Sequence, residues 1–228
     1  MIDTIIFDLF FTLFTLDYSY SDKEYEFYAL GISKEEWEIR NNKTYEERAL
    51  GKNATPYEMM EYILNGLNVP KMKIQKAVEI RKQRIRKGLS TIEARSLDHI
   101  RTLKNSGYRV GLISNVDILD KVVLEEFNLE KHFTSVIFSY NERVAKPDKE
   151  IYLKMAEKLH TRPERCLFVG DGGSKELFGA KNVGMKTVLT VEYIKDLWKD
   201  RIPALMKDAD YYIESLQEIY NILEKVSI

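Results

Sequence analysis

Apolar positions follow two different rhythms along this chain. A short apolar run, Thr4–Phe7, ends at Asp8 and reads as a buried strand. From about Thr15 to Ser90 the apolar residues recur at helical spacing: Tyr57, Met60, Ile63 and Leu64, then Ile74, Val78, Ile85 and Leu89. Gly31, Gly51 and the stretch from Gly66 to Pro70 interrupt that segment, which predicts about four helices. Beyond Ile92 the rhythm becomes strand–helix alternation. A helix near Ser96–Asn105 stops at Ser106-Gly107. Strands are expected at Arg109–Ile113, Val136–Phe138, Leu167–Val169, Thr187–Leu189 and Tyr211–Ile213. Helices are expected at Ile118–Phe127, from Lys146-Pro147-Asp148 to about Leu159, at Ser174–Asn182 closed by Gly184, and near Leu216–Lys225. Pro147 suits the first turn of its helix. Repeated β-α units imply an α/β fold, a parallel sheet wrapped by helices. The expected division is a core of residues 1–14 plus 91–228, with residues 15–90 as a small all-helical insertion.

The 228 residues suffice for one sizeable core with a modest insertion. Hydrophobic residues are 44% and charged residues 31%, as in soluble globular proteins. Lys plus Arg is 35 and Asp plus Glu is 36, a net charge of −1 that gives no global attraction to nucleic acid or anionic membrane. No stretch reaches the length of a membrane span. The lone cysteine, Cys166, cannot form an internal disulfide and sits in an apolar run, as a small buried hydrophobe would. The start, Met1-Ile2-Asp3-Thr4, lacks the basic region of a signal peptide, so the cytoplasm is the expected compartment.

In parallel sheets ligands sit beyond the carboxyl ends of the strands. Asp8, Ser114 and Asp171 each follow a predicted strand, and Lys146 stands at a predicted helix start after another. Four stretches then match in order and spacing: Phe7-Asp8-Leu9-Phe10-Phe11-Thr12-Leu13, Leu112-Ile113-Ser114-Asn115, Lys146-Pro147-Asp148, and Val169-Gly170-Asp171-Gly172-Gly173-Ser174-Lys175-Glu176, the last running on to Gly184. Together they resemble the haloacid dehalogenase superfamily across almost the whole chain.

That resemblance implies a Rossmann-like core with a helical cap inserted after the first motif. It implies a Mg²⁺-dependent phosphatase acting on a small phosphorylated molecule. Asp8 would be the nucleophile that forms an aspartyl-phosphate. Ser114 would offer its hydroxyl, Asn115 its backbone N–H and Thr12 its hydroxyl to the phosphoryl group. Lys146 would offset the charge of Asp8, Asp171, Glu176 and the phosphate. Asp8, Asp171 and the Phe10 carbonyl would hold Mg²⁺, which prefers oxygen ligands. Glu176 stands where the family usually has a second Asp and would act through water or Lys146.

Two positions depart from the usual Asp-x-Asp-Gly-Thr. Phe10 replaces the Asp that protonates the leaving alcohol and later activates water. A phenyl ring does neither, and losing a general acid–base costs about 10²–10⁴-fold. Either another group supplies the proton, or the leaving group needs none, or turnover is weak. Phe11 replaces a flexible glycine, so a positive φ there is expected to be costly. Two rivals follow from Phe10: a metal-free dehalogenase, whose relatives carry an aromatic there and an arginine soon after, whereas the first arginine here is Arg40; and a non-catalytic binding module. The basic run from Arg81 to Lys87 is open to two readings, a solvated helix face or a surface that recruits an anion. Half of the 14 tyrosines fall between Tyr18 and Tyr62 and are expected to build the core of the insertion, with a few lining a substrate slot. His99, His132 and His160 show no zinc-ligand spacing.

Overall fold

The computed structural model describes residues 1–16, 21–92 and 96–226. Six strands form one parallel sheet: β1 (Thr4–Phe7), β2 (Arg109–Ser114), β3 (Ser135–Phe138), β4 (Cys166–Gly170), β5 (Lys186–Thr190) and β6 (Tyr211–Ile213). Their order is β3-β2-β1-β4-β5-β6. Both faces are covered, which is why the strands read as unbroken apolar runs. Alternate residues serve opposite faces: Ile5, Phe7, Leu167 and Val169 belong to one apolar core, Ile6, Cys166 and Phe168 to the other. The strand order reverses between β1 and β4, so a crevice opens beyond their carboxyl ends. Asp8 and Asp171 immediately follow those two strands.

Four helices lie between β1 and the next core helix: α1 (Glu26–Leu30), α2 (Lys34–Ala49), α3 (Pro56–Ile63) and α4 (Lys71–Leu89). Local chemistry sets their limits. The Ser33 and Thr55 side chains accept the N–H groups of Glu36 and Glu58, capping α2 and α3. Gly31 ends α1 at φ 77°, a conformation cheap only for glycine. The interior of this layer is built by Phe27, Trp37, Met59, Met60, Ile74 and Ile85. The tyrosines contribute at its edge: Tyr25 and Tyr57 pack against it partly buried, Tyr45 lines a cavity, Tyr28 is exposed, and Tyr18 and Tyr20 lie outside the described residues. A polar hydroxyl makes tyrosine a poor choice for a dry interior when Met and Trp can fill the space.

The remaining helices are α5 (Asp98–Asn105), α6 (Ile118–Glu126), α7 (Ser139–Glu142), α8 (Lys149–Lys158), α9 (Glu176–Asn182), α10 (Ile202–Leu205) and α11 (Ile219–Val226). Two starts differ from expectation. Asp148, not Pro147, begins α8: its carboxylate caps the Glu150 N–H, leaving Lys146 and Pro147 in the preceding loop. Helix α9 begins at Glu176, because Ser174 and Lys175 both adopt φ 53° in a tight turn. Cys166 is buried, and burial pushes its thiol up to about 12, as expected of an inert side chain. No described helix is long and apolar enough to cross a membrane.

Candidate active site

The Asp8 N–H donates to the Val169 carbonyl at 2.9 Å, fixing the residue at the junction of β1 and β4. One carboxylate oxygen accepts from the Thr12 hydroxyl at 3.0 Å. The chain then folds back on itself: the Leu13 N–H reaches the Leu9 carbonyl at 2.9 Å and the Phe11 N–H the Phe14 carbonyl at 2.7 Å. Phe11 takes φ 59° after all. The cost expected of a positive φ at this position is met by packing of its ring on Trp198 and the bond to Phe14, which hold it there.

Lys146 is buried, and its ammonium donates to both Asp8 and Glu176. Asn115 positions it. The Asn115 side chain accepts the Lys146 N–H at 2.9 Å and donates to the Lys146 carbonyl at 3.0 Å, a two-point clamp that sequence reasoning missed. Ser114 Oγ is fully buried and has no hydrogen-bond partner among the described residues. An unpartnered buried hydroxyl is costly and marks a place where a ligand's polar atom is expected.

Asp171 accepts the Gly173 N–H at 3.0 Å, and Glu176 accepts the Gly172 N–H at 3.2 Å. Glycine is required at 170: a Cβ there would stand 2.1 Å from a Glu176 carboxylate oxygen. Asp8, Asp171 and Glu176 each offer an oxygen within 4.8 Å of the others, and all three are buried. Three carboxylates thus share one ammonium. Burial, with Asp8 adding to it, raises Asp171 to about 6. Burial and then Asp8 push Glu176 well above its ordinary value. Burial alone would lower Lys146, but the Asp8 and Glu176 charges outweigh it and raise it. The cluster lacks positive charge, and protons make up the difference.

These groups floor a cavity of about 350 Å³. Phe10, Phe11, Leu16 and Trp198 give it apolar walls; Asn41 and Tyr45 of α2, Arg81 of α4 and Asp120 of α6 close the far side. The Phe10 ring stacks at 5.1 Å on Phe14. The Tyr45 hydroxyl donates to the Asn115 carbonyl at 3.0 Å. Sequence reasoning singled out none of Tyr45, Asp120 or Trp198 for the site. For Arg81 the signal was the basic run, and neither reading of it describes the outcome: Arg81 pairs with Asp117 and Asp120, and Arg84 with Glu26, all largely buried, while Arg86 pairs with Glu126 in solvent. Arg40 faces away, donating to Glu36 and the Asn65 carbonyl.

A family model described as haloacid dehalogenase-like hydrolase matches residues 2–184. Among curated proteins, glyceraldehyde 3-phosphate phosphatase of Pyrococcus furiosus is 34% identical over 126 residues, 54% of this chain and 50% of the relative. The phosphorylated carbohydrates phosphatase of Thermotoga maritima is 30% identical over 103 residues, 45% of each chain. The chain thus spans about half the length of the curated relatives it matches. A HAD family enzyme of Bacteroides thetaiotaomicron, solved with magnesium and inorganic phosphate, superposes at TM-score 0.63 and 20% identity over 83% of this chain and 94% of that one. The 2-haloacid dehalogenase of Pseudomonas syringae pv. Tomato superposes at TM-score 0.64 and 20% identity over 99% and 100%. At such identity the structural likeness is one of fold.

Proposed function

The chain belongs to the haloacid dehalogenase-like hydrolase family, and on that premise we propose that it is a cytoplasmic, Mg²⁺-dependent phosphatase that hydrolyses a small phosphorylated metabolite through Asp8. One observation carries the reading: three buried carboxylates converge, and a single lysine pairs with two of them. Such a cluster is short of two positive charges, and a divalent cation fits that deficit and the all-oxygen donor set. A metal-free dehalogenase has no use for this surplus of carboxylates, and the arginine it would need is not at Arg40, which pairs elsewhere.

In this reading residues 1–14 and 91–228 are the catalytic core and 15–90 the cap. Support comes from the cavity, whose floor is from the sheet and whose far wall includes Asn41, Tyr45 and Arg81. Asp8, Asp171 and the Phe10 carbonyl would hold Mg²⁺, with Glu176 behind them; the bound cation would neutralise phosphate charge. Asp8 attacks phosphorus and the leaving group departs; water then displaces Asp8 and releases phosphate. Ser114 donates its hydroxyl and Asn115 its N–H toward the phosphoryl oxygens, the Thr12 hydroxyl turns to them from the Asp8 carboxylate it bonds in the free protein, and Lys146 neutralises the charge that gathers there.

The test is turnover of p-nitrophenyl phosphate. Activity is expected to vanish with EDTA and return with Mg²⁺. Full activity in EDTA would reject the reading, and chloride release from 2-chloropropionate in EDTA would establish the dehalogenase instead.

A further inference from the structure

Phe10 leaves the leaving group without the proton donor that its position normally provides. The cavity holds a replacement. In-line displacement by Asp8 puts the leaving oxygen on the far side of phosphorus. Asp120, from the first turn of α6, lines the same cavity and is bonded to Arg81 of α4, which lines it too. It is the one carboxyl among the described cavity-lining residues outside the Asp8–Asp171–Glu176 cluster. The other candidates fail on their bonds. Lys146 is locked between Asp8 and Glu176. The Tyr45 hydroxyl already donates to the Asn115 carbonyl, and burial raises its pKa far above the ordinary range. Arg81 does not deprotonate.

We propose that Asp120 is the general acid–base that takes the place of the residue missing at position 10, which rests on the phosphatase reading above. Its Oδ1 accepts from Arg81 at 2.9 Å, which orients the carboxyl, while Oδ2 has only a long contact of 3.3 Å with the Asp117 N–H and is left to carry the proton. Burial, with Asp117 adding and Arg81 opposing, raises the group to about 6. Arg48 and Tyr45 of α2, Arg81 of α4 and Asp117 at the start of α6 are the charged and titratable groups that act on it. As the Asp8 oxygen–phosphorus bond forms and the phosphorus–leaving oxygen bond breaks, the Asp120 proton passes to the leaving oxygen, giving a neutral alcohol. The resulting carboxylate takes a proton from water as the water oxygen attacks phosphorus. The phosphorus–Asp8 bond then breaks, phosphate leaves, and both carboxyls return to their starting states.

An aryl leaving group departs as a stable anion; an alkyl one needs the proton. The experiment compares 2-glycerophosphate with p-nitrophenyl phosphate at saturating Mg²⁺. Asp120→Asn, which still accepts from Arg81, is expected to lower kcat/KM for 2-glycerophosphate on the order of 10²–10⁴-fold and to leave kcat/KM for p-nitrophenyl phosphate within a few-fold, because kcat/KM reports the step in which the leaving group departs; kcat falls on both substrates, since hydrolysis of the aspartyl-phosphate loses its base. Asp120→Ser serves as a second variant should the amide misfold. In wild type the alkyl-to-aryl ratio of kcat/KM is expected to fall as pH rises through about 6; taking the ratio cancels any metal-binding limb common to both substrates. Equal loss of kcat/KM on both substrates in either folded variant, or a wild-type ratio flat with pH, overturns the assignment. No turnover of either substrate by wild type with Mg²⁺ would instead reject the phosphatase reading beneath it.

Discussion

The ring of Phe11 lies 4.8 Å from the indole of Trp198, centroid to centroid, at a tilt of 52°. Phe11 holds φ 59° in the loop after Asp8, a conformation that costs a non-glycine residue about 1–2 kcal/mol. Burial of its ring against Trp198 repays a comparable amount. Phe11→Gly loses both terms and is expected to stay within about 1 kcal/mol of wild type. Phe11→Ala loses the ring and keeps the strain, so it is expected to be the less stable of the two by about 1 kcal/mol. Urea denaturation of both variants checks this. Alanine more stable than glycine would show that the loop carries no strain.

What the sequence disclosed about this site follows from where each residue sits. Asp8, Ser114 and Asp171 end strands, and the carboxyl ends of parallel strands converge whatever the loops do. Lys146 and Glu176 join them within hydrogen-bonding reach, as their charges and spacing suggested. The positive φ at Phe11 was legible only as a cost, because propensity is local and the Trp198 contact that offsets it is not. Tyr45, Arg81 and Asp120 reach the cavity only because α2, α4 and α6 dock together, and periodicity does not say which face of a helix meets which partner. The basic run looked solvent-facing since its neutralising partners, Asp117, Asp120 and Glu26, are far away in sequence.

Asp8→Asn tests the nucleophile. The amide is nearly isosteric: its oxygen can still accept from Lys146, and its NH2 can donate to the Thr12 hydroxyl, which reverses that bond, so the fold is expected to survive. It can neither attack phosphorus nor balance a cation, and phosphatase turnover is expected to fall below detection. Retention of more than about a tenth of wild-type activity would place the nucleophile elsewhere, since losing a group that forms the bond costs far more than that.

Magnesium affinity is expected to depend on pH with a definite sign. Without metal, burial and the neighbouring Asp8 charge hold Asp171 near 6 and raise Glu176 well above its ordinary value, so cation binding must release protons. The apparent Kd for Mg²⁺ is expected to weaken as pH falls below about 6, by roughly tenfold per pH unit for each proton released. The stability of the metal-free protein runs the opposite way. A folded-state pKa above the unfolded one means that stability from this source is fully present below pH about 4 and is lost as pH rises through 6. Mg²⁺ therefore raises Tm more at pH 8 than at pH 5. Calorimetric titration giving one Kd at pH 5 and pH 7 would remove the cluster from the metal site.

Arg48 joins α2 to the start of α6 through a fully buried pair with Asp117. Arg48→Met leaves Asp117 and Asp120 sharing Arg81 alone, and breaking a buried pair in this way is expected to cost about 3–5 kcal/mol. Two carboxylates beside one guanidinium hold a proton more tightly. The folded-state pKa of Asp120, already raised by burial, thus rises further in the variant, and its deficit is expected to be larger at pH 8 than at pH 5. Denaturant unfolding at the two pH values measures it. A cost independent of pH would mean that packing, not charge, is what Arg48 contributes.

Position 10 offers the last test, because it separates the loss of one acid from the presence of another. If Asp120 supplies the proton, Phe10→Asp adds a redundant donor to wild type, and alkyl phosphatase activity is expected to change little, within about tenfold, well short of the 10²–10⁴ that an acid is worth. In the Asp120→Asn background the same change is expected to restore kcat/KM for the alkyl substrate while leaving kcat/KM for the aryl one alone. The loop matters here: Phe10 stacks on Phe14 and pairs with it across the turn, so a carboxylate at 10 reaches the leaving oxygen only if the turn can adjust. Phe11→Gly frees that turn at little cost, which makes Phe10→Asp with Phe11→Gly the fairer version. Rescue by the combined variant and not by Phe10→Asp alone would assign the barrier to the strained residue at 11. Failure of both to rescue, together with a large gain when Phe10→Asp is made in wild type, would mean that wild type has no general acid and that its natural leaving group departs unprotonated.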